Sequence, residues 1–123
     1  MALSEFFLNN FETSDNALDQ RLKPHYYNND YHTTQHLITS CLNQVGFKMI
    51  NVDNYYHEML FEYKRIRVIV ILNEMSLYNI RVDMKINAKY VLPLKRPIKI
   101  IAKLYEILDR KLTLKYLGGE RNE

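Results

Sequence analysis

The side chains in this sequence that could do chemistry are few: four histidines, one cysteine, two glutamates four residues apart, and a run of bases near residue 100. Cys41 has the nucleophile's chemistry. It sits at helical spacing with Leu37, Leu42 and Val45, where a buried thiol is inert and packs as a small apolar group. His32 and His36 are four apart, the spacing of a two-histidine metal helix, and His25 and Asp30 could complete a set. Thr33 and Thr34 between them read as a helix cap, which leaves His32 outside the helix, and no glutamate stands in the zincin position. Exposed polar histidines are the expectation, with His57 partly buried beside Met59 and Phe61.

Glu58 and Glu62 share one face of an extended run, as two carboxylates of an acid–base pair would. The next run offers Arg65 and Arg67, so the pattern predicts cross-strand ion pairs that set register, not a carboxyl held protonated. The only glycines are Gly46, Gly118 and Gly119, and no phosphate-binding loop can be built from them. No catalytic residue, metal or cofactor is assigned, and the expectation is a protein that is not an enzyme.

The elements that must position these residues are clearest between 47 and 87. In Leu77 to Asn87 one face carries Tyr78, Ile80, Val82, Met84 and Ile86, and the other Asn79, Arg81, Asp83, Lys85 and Asn87. That period of two predicts a half-buried strand and an antiparallel sheet with one dry face. Arg65–Leu72 and Tyr55–Lys64 alternate in the same way, and Phe47–Val52 reads as a shorter strand with a turn at Asp53-Asn54. Whether Lys64-Arg65 is a turn or a bend leaves the meander at three to four strands. Before it, residues 33–46 predict a helix with Leu37, Ile38, Cys41 and Leu42 inward, stopped at Gly46. After it, Pro97 opens a helix predicted over 97–117, with Ile101, Leu104, Tyr105 and Leu108 inward. Residues 1–24 read as a short helical segment broken at Thr13–Asp15 and stopped by Pro24; His25–His32 reads as irregular. The expected fold is α+β, a two-layer antiparallel meander flanked by helices, in one domain spanning 1–123.

Composition bounds the class. The chain has 123 residues, 47% of them apolar, and no apolar run longer than Val68–Leu72, far too short for a membrane span. With a single cysteine and no signal-peptide pattern at the start, the expected location is cytoplasmic. Seventeen bases against fourteen acids leave +3, too little to imply a nucleic-acid partner by charge alone. Ten tyrosines and no tryptophan are the unusual count.

Two functional expectations follow. The first is a protein-interaction or regulatory protein, in the simplest case a homodimer. Tyr56, Leu60, Ile69 and Ile71 lie on the face opposite the main dry one and predict an interface, since tyrosine mixed with aliphatics is what interfaces favour. The second is weak binding of nucleic-acid backbone through Lys95, Arg96, Lys99 and Lys103 at the start of the last helix. A helix, three strands and a helix with bases on the second helix resembles the double-stranded RNA-binding domain in outline, and that resemblance implies recognition of duplex shape and backbone. Glu106 and Asp109 dilute the basic cluster.

Overall fold

The computed structural model describes residues 11–87 and 96–119. Four strands form the predicted meander: β3 (Lys48–Asp53), β4 (Glu58–Tyr63), β5 (Ile66–Ser76) and β6 (Asn79–Asn87). All are antiparallel, in registers such as Phe61↔Val68 and Val70↔Met84. Helix α1 (Tyr31–Gln44) precedes them and α2 (Arg96–Lys111) follows. The fold is α+β in two layers, an antiparallel sheet flanked by two helices.

The alternation decides which side of the sheet the helices cover. Val68, Val70 and Leu72 of β5 and Ile80, Val82, Met84 and Ile86 of β6 close against Ile38, Cys41 and Leu42 of α1 and Ile101, Leu104, Tyr105 and Leu108 of α2. Each fully buried aliphatic or aromatic side chain contributes about 1.5–3 kcal/mol, so this stripe-on-face contact is the main stabilising term.

Three short strands enlarge the sheet beyond the meander: β1 (Phe11–Glu12), β2 (His25–Tyr27) and β7 (Leu114–Leu117). The order is β3-β4-β5-β6-β2-β7, with β1 also on β6. Several sequence expectations change here. The stretch His25–Tyr27 is not irregular but an internal strand, all three residues buried between β6 and β7. Within 17–22 only a 3-10 turn at Gln20–Leu22 forms, capped by Asp19. The expected helix over 3–11 lies almost wholly outside the described residues; its last residue, Phe11, is in β1. The expected crossing at 88–95 lies outside them altogether.

Helix α1 begins two residues earlier than the threonines suggest, because Asp30 is the cap: its carboxylate accepts from Thr33 N–H at 3.0 Å, and Thr34 Oγ1 donates to the Asp30 carbonyl at 2.8 Å. It ends at Gln44 with Val45 as its cap, and Gly46 follows with a φ of +104° that suits only glycine comfortably. Helix α2 stops at Lys111 rather than 117, and the chain turns back as β7 on β2. Four strands, not three, lie between the helices, and a strand follows α2; the double-stranded RNA-binding outline has neither.

The second face of the sheet is not uniformly wet. Ile69 is 0% exposed and Glu58 3%, and Asp83 and Tyr26 are also buried on that side. Asp83 is held by Thr13 Oγ1 at 2.6 Å and Arg81 Nε at 2.6 Å, and Arg81 reaches on to Asp15 at 2.8 Å. Tyr26 stacks on Tyr116 of β7 with centroids 4.5 Å apart.

Candidate functional site

The chemistry-bearing residues fall into separate groups. His25 Nδ1 lies 2.8 Å from Asp109 Oδ1, its ring stacks on Tyr105 at 3.7 Å, and Tyr27 donates to the same carboxylate oxygen at 2.7 Å. This is a part-buried tie between β2 and α2 that does not involve His32 or His36. His32 and His36 are both exposed on α1. Among the described residues no three of His, Cys, Asp and Glu gather as a metal site would need. Cys41 is buried in the core, and burial pushes its thiol pKa up, away from the reactive thiolate. Glu62 pairs with Arg67 across the β4–β5 ladder at 2.8 Å, as the charge pattern predicts, whereas Glu58 stands opposite Ile71 and is buried.

The four predicted interface residues separate. Tyr56 is exposed at the β3–β4 turn, where Asp53 accepts from the N–H groups of Tyr55 and Tyr56. Leu60 and Ile71 are half-buried. Ile69 has no surface to offer a partner, a correction to the expectation of an exposed pair at 69 and 71. Alternation put Ile69 on the correct face but carries no information on what closes over that face.

The predicted basic surface is also divided. Lys95 lies outside the described residues, as does the side chain of Arg96. Lys99 and Lys103 are exposed on α2. Glu106 sits 3.9 Å from Lys103 and bonds Arg110, so an acid interrupts the stripe one turn below Lys103. Lys103 instead edges an apolar groove of about 280 Å³ between α2 and the sheet, lined by Phe47, Tyr63, Ile66, Ile100 and Ile107.

The more developed surface is at the end of the sheet where β3 joins β4 and β5 joins β6. Beyond its last partner on β4, β5 continues from Leu72 to Ser76, with β6 as its one partner among the described strands. Ser76 pairs with Asn79, so the chain reverses in two residues, Leu77 and Tyr78. Tyr78 takes φ +59°, a left-handed conformation for which such turns use asparagine or glycine. Leu77 is 73% exposed, and Met75 and Tyr78 are more than half exposed beside it.

Between this arm and the start of α1 is an open cleft of about 830 Å³, lined by Asp30, Tyr31, His32, His57, Glu74 and Arg81 among others. Tyr31 Oη lies 3.0 Å from His57 Nδ1, with the two rings edge to face. The Thr33 hydroxyl and N–H hold the Asp30 carboxyl below its ordinary pKa, so it stays charged in mildly acidic solution. Charges of both signs and polar rings line the cleft, and apolar side chains rim it. That arrangement can grip a polar chain segment.

Sequence reasoning missed this arm because Tyr78 fits the alternation of the strand that follows it. The available signal was two large apolar residues at a position between strands where turns are polar. Comparisons with protein-family models, with curated proteins and with solved structures gave no match.

Proposed function

We propose that this chain is a non-enzymatic protein-interaction protein that holds a partner polypeptide at the tip of the β5–β6 arm and in the cleft beneath it. The observation that carries this reading is the Leu77-Tyr78 turn. A two-residue hairpin turn is most stable with asparagine and glycine, and a bulky residue at positive φ costs about 1–3 kcal/mol. Here that cost accompanies two large apolar side chains held out in water. Conformational strain combined with unsheltered apolar surface favours a contact made by those side chains over a purely structural turn. Tyr31 in the cleft wall and Tyr78 at the tip supply rigid contact area with a polar end, the residue type interfaces select.

The test couples stability to contact. Replacing Leu77-Tyr78 by Asn-Gly relieves the turn and should raise the melting temperature. In cells of the source organism, a photo-crosslinking residue at position 75 should capture one defined protein, and the Asn-Gly chain should lose that product. A crosslinker at Leu18, exposed on a different segment, supplies the background. Retention of the product by the Asn-Gly chain, or the same products from positions 75 and 18, would overturn the reading. Binding of duplex RNA that weakens steeply with salt would replace it with the backbone-binding alternative at Lys99 and Lys103.

A further inference from the structure

Strand β3 is one edge of the sheet: β4 pairs with one side of it and no described strand with the other. Natural sheets blunt such edges with charge, proline or shortness, because unpaired N–H and C=O groups recruit other strands. This edge carries a lysine and a bulge, yet much of its exposed surface is apolar. Of the ten large apolar side chains exposed among the described residues, five lie on it or just beyond its ends: Val45, Met49, Ile50, Tyr55 and Tyr56.

From these observations we infer that β3 pairs antiparallel with β3 of a second copy, about a two-fold axis between Ile50 and Asn51, joining two sheets into one. The sequence Lys48-Met49-Ile50-Asn51-Val52-Asp53 is self-complementary in that register. Lys48 falls opposite Asp53 of the second copy, and Met49 opposite Val52. At the ends, Tyr56 comes over the second copy's Val45.

The register demands that opposed residues share a face, and Lys48 and Asp53, five apart, would lie on opposite faces of a regular strand. A bulge between Met49 and Asn51 corrects this. Because of it, Met49 and Val52 stand opposite Phe61 and Met59 on the helix-covered face, while Lys48 and Asp53 stand opposite Glu62 and Glu58 on the other. The charges agree as well. Asp53 closes one end of the strand and exposed Lys48 the other, where Glu62 is engaged by Arg67. Each lysine would therefore meet the Asp53 end of the other copy. Dimerisation through Ile69 is replaced by dimerisation through an edge, and the pairing is independent of the partner contact at the arm tip.

A strand pair with a few flanking side chains buries less than the roughly 1,200 Å² of a standard interface, so the dimer should be weak, with Kd of roughly 10 μM to 1 mM. Sedimentation velocity across that range should show a monomer–dimer equilibrium. Ile50→Lys sets like charges across the axis, and Lys48→Glu sets acid against acid; each should raise Kd at least about tenfold. Both side chains are exposed, so an unchanged melting temperature at low concentration confirms folding. Leu77→Asn should leave Kd unchanged. Hydrogen exchange of the wild type should show concentration-dependent protection in β3 and not in β7, the opposite edge. A chain monomeric throughout the range, a dimer indifferent to Ile50→Lys and Lys48→Glu, or one weakened instead by Leu77→Asn would each overturn the proposal.

Discussion

Two tyrosines are built into the interior with their hydroxyls committed. Tyr105 is buried against the sheet and donates to the Val82 carbonyl at 2.6 Å; Tyr27 donates to Asp109. Burial, reinforced by the charge of Asp83 for Tyr105 and of Asp109 for Tyr27, pushes both phenols well above their ordinary range. A group whose folded pKa is raised keeps its full contribution below the unfolded pKa and loses it as pH climbs beyond. Stability should therefore be flat up to the ordinary tyrosine pKa of 10.0 and fall above it, by about 1.4 kcal/mol per pH unit for each buried phenol. Urea midpoints between about pH 9 and 11.5 read this slope. Tyr27→Phe should lower stability near neutrality, through the lost bond to Asp109, and flatten the alkaline slope by about half. An unchanged slope in Tyr27→Phe would mean that Tyr27 is not shielded as described.

The strands show where a period-two pattern informs and where it stops. Ile50 and Ile69 are both isoleucines within strands of the meander, yet one is 56% exposed and the other fully enclosed. Ile69→Ala should cost about 2–5 kcal/mol, whereas Ile50→Ala in the monomer should stay within about 0.5 kcal/mol. Denaturant titration of both at low concentration checks the pair; equal costs would mean that the second face is not closed at Ile69.

The meander was legible because its alternation runs through most of β4, β5 and β6, and α2 because four of its inward residues recur at helical spacing. Strands of three and four residues are too short to display a period, which is why β2 and β7 were not legible; β7 was absorbed into the helix before it. The candidate surfaces fared worse for a related reason. Tyr56 was recognisable as exposed, but the arm tip and the β3 edge depend on where neighbouring strands end, and no local pattern records that.

Seen as one object, the sheet is divided between near and distant pairings. Strands β3 to β6 follow one another through short reversals, and each ladder closes as soon as the next strand emerges. Strand β2 is different. It lies between β6 and β7, partners that come much later in the chain, and its inward residues His25 and Tyr27 are fastened to α2 through Asp109. Closing such long loops costs entropy that is recovered only after both partners exist. The refolding chain should therefore assemble in two instalments, the meander first and the β2–β7 seam afterwards. Pulse-labelled amides of β4 to β6 should gain protection before those of Tyr26, Tyr27 and Tyr116; simultaneous protection would show that the whole sheet condenses in one step. Until the seam closes, the free edge of β6 would be open to any other strand within reach, so the interval between the two instalments is when this chain would be most prone to misassembly.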